Sequence, residues 1–144
     1  MVDTRFAVSV HFMTALAYRQ PGLLSSEELA KGVKTNPSFI RKLVVALAAA
    51  GLVESVRGKA GGVRLAKAPK EISLAQIYQA VSDTALIAVP SKTPHKSCLI
   101  SCGIGEVLCK ISLEIEENTL RLLAKRSLQE VLNQVKKKEV ATSP

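Results

Sequence analysis

The chain has 144 residues, 47% of them hydrophobic, only 3% aromatic and none of them Trp, which allows one aliphatic core with an appendage. No apolar run reaches the roughly 18 residues of a membrane span, and no basic stretch leads into an apolar run at the N-terminus, so neither a membrane protein nor a signal peptide is expected. Of the formal charge of +8, most falls in residues 1–70, with 11 Lys and Arg against 4 Asp and Glu, which points to a polyanion partner or a solvated basic face.

A first helix is expected over Arg5–Arg19, where Phe6, Val10, Met13 and Ala17 recur at helical spacing, and Gln20-Pro21-Gly22 stops it. Ser25 and Glu28 have the spacing of a capping box opening a second helix with Leu29, Ala30 and Val33. After Lys34-Thr35, Asn36 is a good N-cap and Pro37 suits the first helical position. The third helix then runs to Ala50 with Ile40, Leu43, Val44 and Leu47 facing inward, and Gly51 suits a left-handed end. Two short helices and a tight turn make a helix-turn-helix. Leu52–Arg57 and Val63–Ala66 read as strands around a Gly58–Gly62 turn, a basic hairpin placed where a wing would be.

Ser73 and Gln76 form a second capping box, opening a fourth helix with Leu74, Ile77, Tyr78 and Val81. Residues 83–96, with Pro90 and Pro94, read as loop. A helix resumes near Ile104, with Leu108, Ile111, Ile115 and Leu122 in near-heptad spacing. Ser127 and Glu130 open a final helix carrying Leu128, Val131, Leu132 and Val135, with Lys136, Lys137 and Lys138 at its end. Residues after Glu139 are expected to lack structure.

The expected fold is therefore mainly α with a small β-hairpin: a winged helix-turn-helix domain over residues 1–83, then a cysteine-containing loop and dimerisation helices over residues 84–144. A helix fits the major groove and a basic wing reaches backbone or minor groove, so Ser38, Arg41 and Lys42 on the third helix and Arg57, Lys59 and Arg64 on the wing are candidate DNA contacts. Gly61 and Gly62 join them, as residues that permit positive φ and close approach to a sugar-phosphate chain. The apolar stripe from Ile104 to Leu122 is longer than the small domain can cover, which favours a homodimer over a helix folded on its own domain. The expected function is a cytoplasmic DNA-binding transcription regulator, a repressor more often than an activator. Two other classes stay open: a winged-helix module that binds protein instead of DNA, and a thiol redox enzyme, for which no base is placed.

Three cysteines, Cys98, Cys102 and Cys109, form no disulfide framework in a cytosolic chain, and their spacing matches neither a standard zinc site nor C-x-x-C. They read as sensor thiols, as metal ligands of unknown kind, or as small packed hydrophobes. Cys98 and Cys102 precede the long helix, whose positive end favours a reactive thiolate. His95 is either a fourth ligand or a surface residue, and His11 a packed or partly exposed side chain of the first helix.

The run Ser25–Ala30, the segment Asn36–Leu43 and the stretch Gly51–Leu65, with its Ser-Val-Arg-Gly-x-x-Gly-Gly wing, together resemble the Rrf2 family of bacterial repressors. Ile72-Ser73-Leu74 and Ser127–Glu130 continue the resemblance over nearly the whole chain. It implies a dimeric winged-helix DNA binder whose long C-terminal helix crosses to the partner, with Ser38 and Arg57 at DNA-contacting positions, Arg57 in the minor groove. Arg41 stands where a cluster-binding branch has an acidic residue, so that branch's operator does not transfer. That branch also implies C-x5-C-x5-C and a His or Asp ligand. Here the spacings are x3 and x6, with Ser112 and Arg5 at the two other ligand positions. Cys98–Gly105 instead looks like the cluster-free branch, so no cofactor is expected, with an iron–sulfur cluster on the three cysteines as the alternative.

Overall fold

The computed structural model describes residues 3–89 and 95–142. Its helices are α1 (Arg5–Tyr18), α2 (Ser26–Val33), α3 (Pro37–Ala49), α4 (Leu74–Val81), α5 (Leu99–Ala124) and α6 (Leu128–Thr142). Strands β1 (Val53–Val56) and β2 (Gly62–Leu65) pair antiparallel between α3 and α4, followed by one 3-10 turn at Pro69–Glu71. Pro90 and Pro94 lie outside the described residues.

Local chemistry sets the helix starts. Ser25 Oγ accepts from the Glu28 amide at 3.1 Å while the Glu28 carboxylate accepts from the Ser25 amide at 2.7 Å, so two otherwise orphaned donors are satisfied. That second bond holds the Glu28 carboxyl below its ordinary pKa. Asn36 Oδ1 accepts from Phe39 at 2.8 Å, and Ser73 and Gln76 form the second reciprocal box. Between α2 and α3, Lys34 takes a left-handed conformation at φ 62°, and the Thr35 amide closes back on the Ala30 carbonyl at 2.9 Å.

The core joins α1, α3, the hairpin, α4 and α6: Phe12, Met13, Leu16, Ile40, Leu47, Leu52, Ile72, Ile77 and Leu128 are almost wholly buried. The α3 and α4 faces are those the periodicity indicates, whereas the α1 face is rotated. Met13 and Ala17 are buried as expected, together with Ser9, Phe12 and Leu16, while Phe6 and Val10 are only half-buried. The reason is that α1 is packed by α2, β2, α4 and α6 together, so no single stripe describes it.

Leu24, ahead of α2, adds a short third rung to the hairpin: its amide and carbonyl pair with Val63 at 3.1 and 2.8 Å. At the far end of the chain the starts of α4 and α6 are tied backbone to backbone, Leu74 to the Arg126 carbonyl and Leu128 to the Ile72 carbonyl, each at 2.9 Å. Through this joint Leu128 and Leu132 enter the core of the N-terminal half. Two boundaries depart from expectation. The helix α6 continues to Thr142, past Glu139, and α5 begins five residues before Ile104 because the Cys98 sulfur caps it.

Candidate nucleic-acid interface

On a helix of 3.6 residues per turn, Ser38, Arg41 and Lys42 point away from Ile40, Leu43, Val44 and Leu47, so burying the latter exposes the former. All three candidates are exposed. Arg41 Nη1 lies 3.4 Å from Glu27 Oε1 of α2, with both side chains more than half exposed. A pair so solvated contributes at most about 1 kcal/mol, so a phosphate or a guanine edge can displace the carboxylate. The Leu52 amide bonds the Leu47 carbonyl at 3.0 Å, which makes the wing a direct continuation of α3.

In the hairpin register Glu54 faces Arg64, and Arg64 Nε donates to Glu54 Oε2 at 3.0 Å. Strand alternation buries Val63 and Leu65 and leaves Arg64 outside. Arg57 and Lys59 are exposed at the tip, where the Gly61 amide closes on the Gly58 carbonyl at 3.0 Å. The glycine reading needs correction. Positive φ belongs to Gly58, at 108°, and to Gly51, at 74°, the latter ending α3 as expected. Gly61 and Gly62 are required for space. A β-carbon on Gly61 would run into the Val56 carbonyl oxygen, and one on Gly62 would stand 2.8 Å from the Leu24 carbonyl oxygen. Sequence reasoning missed Gly58, Leu24 and the acidic partners Glu27 and Glu54. Only the Glu54–Arg64 pair had a signal, as opposite charges at mirrored positions of the hairpin.

The long helix α5 spans about 39 Å at 1.5 Å per residue. Ser112 is its one buried residue, and Ile104, Val107, Leu108, Ile111, Ile115 and Leu122 are all exposed. Across the body, α1 and α6 enclose an apolar groove of about 520 Å³ lined by Val10, Ala15, Tyr18, Val131 and Val135, with exposed His11 on its rim.

The cysteines are placed differently from expectation. Cys98 is the N-cap of α5, its sulfur accepting from the Ser101 amide at 3.4 Å, and Cys102 lies inside the first turns instead of ahead of them. All three thiols are exposed. The Cys102 thiol donates to the His95 carbonyl at 3.6 Å, and His95 Nδ1 is engaged by Ser97 Oγ at 2.9 Å. Cys102 and Cys109 are seven residues apart in one unbroken helix, about 10 Å along its axis. Among the described residues no group of three or more His, Cys, Asp or Glu is disposed to hold a metal ion. Arg5, at one of the non-cysteine ligand positions, donates to Asp83 at 2.7 Å and to Asp3 at 2.8 Å. This clasp holds both carboxyls below their ordinary pKa. The residues present do not fit an iron–sulfur cluster in this conformation.

No helix of the described residues is long and apolar enough to cross a membrane. The family model Rrf2, iron-dependent transcriptional regulator, matches residues 2–134. YwnA of Bacillus subtilis is 29% identical over 133 residues, covering 92% of this chain and 98% of the relative. The helix-turn-helix-type transcriptional regulator NsrR of the same organism is 28% identical over 138 residues, covering 91% and 94%. Among solved structures, CymR, the global cysteine regulator of B. subtilis, superposes with a TM-score of 0.64 at 21% identity over 93% of this chain and 97% of that one, a likeness of fold.

Proposed function

Since the chain belongs to the Rrf2 family and is thus a DNA-binding transcription regulator, we propose that it acts as a homodimeric cytoplasmic repressor that reads DNA with α3 and the wing. The observation that carries this reading is the set of exposed groups on two consecutive elements: Ser38, Arg41 and Lys42 on α3, then Arg57, Lys59 and Arg64 on the hairpin. The α3 residues face the major groove, and Arg57 enters the neighbouring minor groove. Gly61 and Gly62 let the hairpin close tightly on the Val56 and Leu24 carbonyls, which fixes the course of the wing. Residues 1–83 form the reading unit, and residues 84–144 couple two copies. The exposed apolar side of α5 supports the dimer, and the α1–α6 groove of a second copy offers it a seat. Two wings then address half-sites about 34 Å apart, and occupancy excludes polymerase.

The chain catalyses no reaction and carries no cluster in this reading. The pairing of Arg5, at one of the non-cysteine ligand positions, with Asp3 and Asp83 supports that, and exposed Cys98 and Cys102 at the start of α5 make a thiol-responsive regulator. The test is a selection of duplexes from fragmented genomic DNA, followed by titration at increasing salt. A specific site with a steep salt slope supports the reading. Binding no stronger than that of an unrelated basic protein overturns it.

A further inference from the structure

Val45 is 70% exposed on α3, more than any other large hydrophobic side chain outside α5 among the described residues. With 3.6 residues per turn, Ser38, Arg41, Lys42, Val45 and Ala49 share a sector of about 100°, and all five are exposed. Val45 is thus an apolar group in the middle of a polar, cationic face. A β-branched residue there is neither a strong helix former nor a solubilising choice. The side chains nearest the end of α3, Ala48 and Ala49, are short and exposed, so nothing long holds this half of the helix away from a partner surface.

Resting on the DNA-binding reading above, we propose that Val45 reads the 5-methyl group of a thymine in the major groove. The edge of a T·A pair presents one apolar feature there, the C5-methyl, and the isopropyl group of Val45 is its chemical match. Arg41 and Lys42 flank it and take hydrogen-bonding edges or phosphates, which fix the helix in register. Val45 therefore sets base preference at one position per half-site without a hydrogen bond. Removing the methyl exposes the isopropyl to water again and weakens binding about fourfold per half-site, the effect of one buried methyl group.

The test starts from duplexes that the wild-type chain enriches from a random-sequence library. Each thymine is then replaced in turn by deoxyuridine, which keeps every hydrogen-bonding group and lacks only the methyl. At one thymine per half-site, the wild-type protein loses about fourfold in affinity, Val45→Ile retains that sensitivity and Val45→Ser does not respond. Because Val45 is exposed, circular dichroism and the salt slope of Val45→Ser stay those of wild type. A wild-type protein indifferent to deoxyuridine everywhere, or a Val45→Ser protein as sensitive as wild type, overturns the assignment and leaves the DNA-binding reading intact. A library that yields no enriched sequence overturns both.

Discussion

Ser112 Oγ donates to the carbonyl oxygen of Ile87 at 3.2 Å, fastening the middle of α5 to the loop that follows α4. The position that the resemblance assigns to a ligand histidine is thus occupied by a buried hydroxyl with a structural partner. Ser112→Ala leaves that carbonyl without its donor and lowers stability by about 1 kcal/mol in chemical denaturation. No change in the midpoint would mean that water replaces the hydroxyl at no cost.

Arg57 and Lys59 are both exposed on the wing, and their variants separate base reading from backbone attraction. Arg57→Ala weakens binding to the selected site by about 1–3 kcal/mol and relaxes its sequence preference. Lys59→Ala weakens all duplexes alike and lowers the salt slope by about one. Equal losses on specific and random DNA for both variants would remove the groove role of Arg57.

The exposed apolar side of α5 gives a prediction about assembly. The double variant Ile111→Lys, Ile115→Lys places charges where the proposed dimer packs, at a cost of several kcal/mol. It sediments as a monomer and loses most operator affinity, since the half-sites are no longer tied together. A wild-type chain that sediments as a monomer at micromolar concentration removes the dimer.

The exposed thiols give a paired prediction. Protein prepared without oxygen is colourless and free of iron and sulfide. Hydrogen peroxide changes its operator affinity, dithiothreitol restores it, and the triple variant Cys98→Ser, Cys102→Ser, Cys109→Ser responds to neither. Identical behaviour of wild type and the triple variant would leave the cysteines without a sensing role.

The Asp3–Arg5–Asp83 clasp predicts a pH dependence. Both carboxyls ionise more readily in the folded chain than in the unfolded one. Their contribution is therefore complete above the ordinary carboxylate range and is lost as pH falls below about 4. Asp83→Asn is less stable than wild type at neutral pH, and the gap narrows on acidification below about pH 4. A gap of constant size down to about pH 3 would separate Asp83 from the clasp.

The parts of this fold legible in the sequence are those governed by neighbours along the chain. The Ser25–Glu28 and Ser73–Gln76 boxes, the Asn36 cap and the inward face of α3 each depend on groups within four residues. The α1 face was legible only in Met13 and Ala17, because four other elements decide which of its sides is buried. The start of α5 was not legible, since a cysteine sulfur is an unusual cap. Gly61 and Gly62 were recognisable as special, but the reason lies in the carbonyls of Val56 and Leu24, which only the folded hairpin brings near. Val45 falls outside the inward stripe of Ile40, Leu43, Val44 and Leu47, and it is exposed in the fold.

The joint between Ile72–Leu74 and Arg126–Leu128 ties the starts of α4 and α6 together, so α5, which packs on α4, is carried between two fixed points of one body. A helix held in this way can vary along its exposed side. Its length and chemistry can diverge while its two points of attachment keep the same spacing, and the reading head need not be rebuilt. Under the reading proposed above, such a segment can change the signal it answers to while α3 and the wing keep their hold on DNA.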